Sequence, residues 1–471
     1  MPCCRKIVAI DLGNSSGRVV LGEWDGGQGV LREIYRFPNE PDEEGGHVFW
    51  DIERIWREIL KGLRIAAVQS GGRVDSIGLD CWGAEYILVD RAGERLGHAY
   101  TLRDPRQVRA MERAFSVLPR QRIYQITGIQ VLPINALYGL LAHRQELPDE
   151  WERAAVWLGT PEYFLYRLTG VAVAEYTNAP NSQLVDAATR SWSREICAAF
   201  GLPLDKFPPI VPPGTVLGNL RAEIARESGL SNARVIAPAC HDTASAVAAI
   251  PCSHEDLAFV SSGTWSLVGT VLDAPVISQQ SYAFNITNEG GVGNSIRFLC
   301  NVIGLWLLQE ALGEWKEEGT PAGAAELAEQ CLDTPLTGPW FDLAENADFL
   351  APGGMIARIN AGLAAQGFAE ERRPAALSAI IFRSLARRYA EVIRGIRLAS
   401  GKNIKRLCII GGGVKNEALN RLAGAATGLE IVRGPSEATL AGNVAIQISA
   451  LENARSVRDI QAIASRLASA G

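Results

Sequence analysis

Asp242 ends the run Val235-Ile236-Ala237-Pro238-Ala239-Cys240-His241-Asp242, and Thr243-Ala244-Ser245-Ala246 follows it. The apolar part reads as a strand ending at Asp242, and the small residues after it read as a helix. In open α/β folds chemistry gathers at the carboxyl ends of strands, and a carboxylate placed there can take the proton of an attacking hydroxyl. The same residues also suit a plain helix N-cap, because Asp offers its oxygen to free amides. His241 alone reads as a hydrogen-bonded packing residue.

A second chemical segment is Asp11-Leu12-Gly13-Asn14-Ser15-Ser16-Gly17-Arg18. Small hydroxyls and backbone amides let an anion approach closely, and Asp11 can hold a Mg²⁺-bound water. A plain hairpin turn favours the same residue types, so the segment alone leaves both readings open. Gly13 to Gly17 also matches the GxSxG elbow of serine hydrolases. That elbow needs a helix after the serine, and Arg18-Val19-Val20-Leu21 continues instead as strand.

Leu407-Cys408-Ile409-Ile410 runs into Gly411-Gly412-Gly413, with the helical-looking Glu417-Ala418-Leu419-Asn420 beyond. Three glycines exceed what a turn needs and suit a nucleotide lying on backbone at a helix N-terminus. No GxxxxGK[ST] loop occurs, since Gly401-Lys402 has Ile396 five positions earlier. A phosphate site here is not a P-loop.

These segments need a scaffold. Ile7 to Ile10 and Arg18 to Trp24 read as a hairpin, Val30 to Tyr35 as a third strand, and Ser76 to Asp80 as another. Asp51 reads as the N-cap of a helix with apolar Ile52, Ile55, Trp56, Ile59, Leu60 and Leu63. Leu257 to Val260, then Ser261-Ser262-Gly263-Thr264, then Trp265 to Val271, repeats the opening scheme of strand, Ser/Gly turn and strand. Two such hairpins, each near the start of one half, predict duplicated α/β domains facing each other, with 1–248 as one half and 249–471 as the other.

At 471 residues the chain exceeds one hydrophobic core, and its formal charge of −6 argues against nucleic-acid binding. Nine cysteines, Cys3-Cys4 among them, show no CxxC spacing, which suits a reduced cytoplasmic protein rather than a disulfide framework. No apolar run of about 20 residues precedes or interrupts the pattern, so neither a signal peptide nor a membrane span is expected.

Together these pieces resemble the FGGY carbohydrate kinases across nearly the whole chain. The resemblance implies two actin-like, ribonuclease-H-like domains flanking a catalytic cleft. Asp11 to Arg18 resembles that family's first phosphate motif, Ser261-Ser262-Gly263-Thr264-Trp265 its second, and Gly411-Gly412-Gly413 its adenosine motif. Asp242 falls on the catalytic base. Carried over by position, Gly83, His241, Asp242, Thr243 and Asn301 would touch the sugar. Asn14, Ser15, Ser16, Gly17, Arg18, Thr264, Gln309 and Gly412 would touch ATP, and Asp11 would hold Mg²⁺ through water. A small ketose and ATP are the implied partners, with the protein a monomer or homodimer.

Cys81-Trp82-Gly83, Gly128-Ile129-Gln130, Thr287-Asn288-Glu289-Gly290-Gly291 and Arg297 to Gln309 are similar to the family's rhamnulokinase branch. Its departures include Cys81 for a usual Thr, Glu85 for a usual Asp, Cys300 for a usual Lys, and Leu102 for a frequent Tyr. The resemblance implies ATP-dependent phosphorylation of a ketose at its terminal hydroxyl, L-rhamnulose to L-rhamnulose 1-phosphate, with L-fuculose or a ketopentose as the alternative. A non-catalytic actin-like sugar-binding protein is the rival from another class, and it would not need Asp242.

Overall fold

A computed structural model describes residues 4–344, 349–454 and 456–469; Cys3 lies outside them. Its first sheet opens with β1 (Arg5–Leu12), β2 (Ser16–Trp24) and β3 (Gly29–Pro38), an antiparallel meander. Helix α1 (Ile52–Ser70) follows, and Asp51 caps it by accepting from the Arg54 amide. Its buried residues include Ile52, Ile55, Trp56, Ile59, Leu60 and Leu63, the stripe that a 3.6-residue period places on one face.

Strand β4 (Ser76–Cys81) then pairs in parallel with β1, which sets Asp80 beside Asp11. Strands β5 (Thr215–Asn219) and β6 (Arg234–Ala237) complete the far edge. The inner strands are buried along most of their length, so their sequences read as continuous rather than alternating apolar runs.

The second sheet repeats this plan. Strands β7 (Leu257–Ser262), β8 (Trp265–Leu272) and β10 (Ile296–Ile303) form the meander, with β9 (Thr287–Gly290) added outside. Strands β11 (Arg406–Ile410) and β12 (Glu430–Arg433) run parallel to β7 on the other side. Setting aside the added edge strands β5 and β9, both sheets share one core order, β3-β2-β1-β4-β6 in the first and β10-β8-β7-β11-β12 in the second, which is the ribonuclease-H-like plan that the family resemblance implies. The last strand described, β13 (Leu467–Ser469), returns to the first sheet and pairs with β3.

Two helices join the halves. Helix α2 (Asp242–Ala248) follows β6, and α6 (Ala438–Glu452) follows β12, after α3 (Trp306–Glu317), α4 (Pro374–Ser400) and α5 (Glu417–Thr427). A side chain at Gly442 would meet the Ser245 carbonyl at 1.8 Å, so α6 crosses α2 where only glycine fits. From α6, Gln447 donates to the Val8 carbonyl at 3.1 Å and accepts from Ser76 at 2.8 Å. A single buried cluster, holding Ile7 and Val20 with Phe259, Leu299 and Val444, seals the junction.

Two local expectations differ. The strand before Asp242 stops at Ala237 rather than reaching Asp242, because Pro238 has no N–H for the ladder. The glycines of 411–413 do not sit at a helix N-terminus. A 3₁₀ turn, Gly412–Lys415, intervenes, and Asn416 caps α5 by accepting from the Leu419 amide at 3.0 Å.

Candidate active site

The cleft between the sheets is lined by Gly13, Asn14, Ser15 and Arg18 from the first hairpin and Ser261 to Trp265 from the second. Gly83, His241, Asp242, Thr243, Asn301 and Gly412 line it too. Residues up to 426 positions apart in sequence, Gly13 and Thr439, thus face one space.

Asp242 is the first residue of α2, and the capping role falls to His241, whose Nδ1 accepts from the Thr243 amide at 3.2 Å. The N-cap reading of Asp242 is thereby corrected. Asp242 Oδ1 also accepts from the Thr243 amide, and from its hydroxyl at 3.1 Å. About a third of the side chain, 34%, stays exposed to the cleft. Burial alone would raise Asp242, but His241 and the Thr243 donors outweigh it and hold the carboxyl below its ordinary range. His241 Nδ1 lies 3.1 Å away and attracts the carboxylate when it carries a proton rather than accepting from Thr243. The group is an ionised acceptor near neutral pH.

The segment carrying His241 and Asp242 is strapped to its neighbours. Cys81 donates to the Cys240 carbonyl at 2.9 Å, and a lone parallel bridge links Cys81 to His241. A side chain at Gly83 would meet His241 Cδ2 at 2.6 Å and Asn181 Nδ2 at 2.7 Å, so glycine lets that backbone lie against the imidazole. Behind, the Cys240 amide donates to Glu175 at 2.8 Å and the His241 amide to Thr177 at 3.2 Å.

The first hairpin holds charge. Arg18 donates to Asp11 on its own hairpin and to Glu437 across the cleft. Asp80 is fully buried, accepts from Asn443 at 2.6 Å through Oδ2, and leaves Oδ1 without a partner among the described residues. Burial raises Asp11 and, further, Asp80; Arg18 and a hydrogen bond with Asp80 pull Asp11 back while the charge of Asp242 raises it, and the charge of Asp11 raises Asp80. Ser16 and Gly17 stand apart from the lining. Ser16 accepts from Arg36 at 3.3 Å, and a side chain at Gly17 would strike the Phe37 ring at 2.1 Å.

The second hairpin holds none of this charge. Gly263 donates to the Trp265 carbonyl at 2.8 Å, and Thr264 Oγ1 lies 3.4 Å from Gln309 Oε1 on α3. Gln309 stands behind Thr264 and is outside the lining. Gly412 has no atom within 4 Å of where its Cβ would stand, whereas Gly413 is pressed on Ser262.

Asn301, within β10, donates from its amide to Gln130 Oε1 at 2.8 Å and from Nδ2 at 3.1 Å, joining the second sheet to the segment of the first half that carries Gln130. Cys300 points the other way, buried in the core with Arg388 Nη2 at 4.0 Å; a lysine there would meet that guanidinium. Glu85 also faces away from the cleft, behind Trp82.

The FGGY family of carbohydrate kinases matches through its N-terminal domain over residues 6–249 and its C-terminal domain over residues 258–451. The chain belongs to that family. This FGGY kinase is 40% identical to a rhamnulokinase of Bacteroides thetaiotaomicron over 98% of the chain and 94% of the relative. It is 38% identical to a rhamnulokinase of Oceanobacillus iheyensis over 94% and 93%. A gluconate kinase from Lactobacillus acidophilus shares the fold with a TM-score of 0.80 at 18% identity, covering 97% of this chain and 91% of that one. Plasmodium falciparum glycerol kinase with ADP gives 0.78 at 16%, covering 99% and 93%. The kinase therefore has the two actin-like domains of its family, and ATP is its phosphoryl donor.

A metal accompanying ATP would find acids at the base of the cleft. Among the described residues no cluster of His, Cys, Asp and Glu forms a cage for direct binding. That suits Mg²⁺, which dehydrates reluctantly and takes phosphate oxygens plus waters held by one or two carboxylates. Asp11, 7% exposed, stands just behind the lining and could hold such a water, whereas Asp80 beside it is fully buried and could act only through Asp11.

Sequence reasoning singled out neither Asp80 nor Glu437 as charged partners, nor Gln130 as the anchor of Asn301. Asp80 carried a signal, since it ends a strand as Asp11 nearly does. Glu437 carried none, because its partner Arg18 lies 419 residues away.

Proposed function

We propose that this kinase transfers the γ-phosphoryl group of ATP to the terminal hydroxyl of a ketose, converting L-rhamnulose to L-rhamnulose 1-phosphate. The observation that carries the mechanism is Asp242, an ionised acceptor in the same cleft as both hairpin tips and Gly412. Rhamnulokinase relatives along nearly the whole chain support the sugar.

Asp242 accepts a hydrogen bond from the sugar's O1 hydroxyl and takes its proton as the O1–phosphorus bond forms and the bond to ADP breaks. A carboxyl held low is a weak base, which suits a loose transition state in which proton transfer comes late and positioning dominates. Gly83, His241, Thr243 and Asn301 orient the sugar. Asn14, Ser15, Arg18, Thr264 and Gly412 hold the nucleotide, with Ser16, Gly17 and Gln309 supporting them from behind. Mg²⁺ arriving with ATP would neutralise phosphate charge, its waters held by Asp11 with Asp80 beside it. Closure of the cleft excludes water that would otherwise compete as acceptor.

A coupled ADP-release assay over L-rhamnulose, L-fuculose, L-ribulose and D-xylulose tests the reading. L-rhamnulose is expected to give the highest kcat/KM; a different winner refutes the sugar, and sugar-independent ATP turnover refutes the kinase mechanism.

A further inference from the structure

Glu85 is 5% exposed and does not itself line the cleft, yet it takes three hydrogen bonds from three separate segments. Its Oε2 accepts from Trp82 Nε1 at 2.5 Å and from Trp50 Nε1 at 2.7 Å; its Oε1 accepts from the Leu102 amide at 2.7 Å. The Trp50 and Trp82 rings lie 4.6 Å apart. Two of the three donors, Trp82 and Leu102, line the cleft. Trp82 adjoins Gly83, whose backbone rests on His241 beside Asp242. Leu102 is followed by Arg103, whose guanidinium lies 4.1 Å over the Trp306 ring of the opposite domain.

The clamp is held at a backbone cost. Ala84 adopts φ of 69°, in the left-handed region that a non-glycine residue seldom occupies, and this turn brings Trp82 and Glu85 together. Burying a carboxylate is expensive unless donors satisfy it; here burial pushes Glu85 up to about 7 despite its donors. An apolar residue would fill the space without that cost but would not fix the indole N–H or the Leu102 backbone. With Ile129, Leu132 and Ile134, those two residues make an apolar side to a cleft whose other sugar-facing groups, Gln130 and Asn301 among them, are polar.

We propose that Glu85 is a positioning residue that sets this apolar wall, and that the wall selects a ketose deoxygenated at the end remote from the phosphorylated hydroxyl. The proposal rests on the ketose-kinase reading above. A methyl group packs on Trp82 and Leu102, whereas a hydroxyl at that carbon loses its water and gains no partner. An apolar pocket discriminates against an added hydroxyl by roughly 10².

The test compares L-rhamnulose with L-fructose, its counterpart bearing a hydroxyl on C6, using the full-length enzyme with saturating MgATP. The wild type is expected to prefer L-rhamnulose by about 10² in kcat/KM. Glu85→Gln replaces one acceptor by a donor, so it opposes either the indoles or the Leu102 amide. It should cut the preference to about tenfold or less, through KM for the deoxy sugar, with KM for ATP and Tm unchanged. Glu85→Asp keeps an acceptor and should retain more of the preference than Gln. Leu102→Asn places a polar group on the wall without touching the carboxylate and should lower the preference independently, which keeps the test decisive if Glu85→Gln does not fold. An unchanged ratio in either folded variant, or a wild type preferring L-fructose, overturns the proposal. A wild type that phosphorylates neither sugar overturns the function reading instead.

Discussion

The two hairpins share one topology and carry opposite chemistry. The first presents Asp11 and Arg18, lies beside Asp80, and reaches Glu437 across the cleft. The second presents Ser261 to Thr264 without a charged residue, and its tip packs on Gly413. The duplicated frame thus carries charge on its first hairpin, answered from the second half by Glu437, while its second hairpin offers only backbone and hydroxyl groups. Buried glutamates stand on both sides: Glu85, Glu162 and Glu175 in the first half, and Glu289, 3.0 Å from Arg297, in the second.

The sharpest break in this comparison is Asp242→Asn. Turnover should fall by roughly 10²–10⁴, the usual contribution of general acid–base catalysis, while nucleotide affinity stays near normal. Steady-state kinetics and ATP titration check both, and near-normal turnover in a folded variant removes Asp242 from its role.

Asp11→Ala should act next, weakening use of MgATP by about 10–100-fold, the range for partners acting through a metal's outer shell. Sugar affinity should barely change. Loss of sugar affinity with MgATP affinity intact would place the first hairpin at the wrong substrate.

In the second half the contrast lies between adjacent glycines. A methyl at Gly413 would lie 2.0 Å from Ser262 Oγ, so Gly413→Ala should destabilise by about 1–3 kcal/mol. At Gly412 nothing lies within 4 Å, so Gly412→Ala should keep stability within about 0.5 kcal/mol and raise KM for ATP. Thermal melts and ATP kinetics distinguish them; equal melting losses would contradict the packing.

The smallest effect concerns pH. Burial pushes Glu162 up to about 7 and Glu175 up to about 8. Both ordinarily titrate near 4.3, so between that pH and about 8 the folded state binds more protons than the unfolded chain. Stability should therefore be greatest below about 4.3 as far as these groups contribute, fall as pH rises through about 8, and then level. Urea midpoints at pH 6 and 8.5 measure the slope, and Glu175→Gln should flatten it. A slope as steep in the variant would assign it to other groups.

Much of the frame was legible from local pattern. Asp51 capping α1, the strand on each side of each turn, and the repeat of that scheme all follow from rules acting within about ten residues. Where local reading failed, a neighbour in the chain decided: Pro238 ended a strand early, and Asn416 took the cap expected of the triple glycine's helix.

The sequence by itself determined the α/β class, the two hairpins and the residue types available for phosphate and proton chemistry, because backbone dihedrals and side-chain period are short-range properties. Only the tertiary structure decided that Arg18 would meet Glu437, that Asp80 would stand beside Asp11, and that Glu85 would turn behind Trp82 rather than into the cleft. Those contacts depend on which strands pair and how α6 lies against the first sheet. Burial then fixes their chemistry, since the same carboxyl is an ordinary acid in water and a shifted one beneath a sheet.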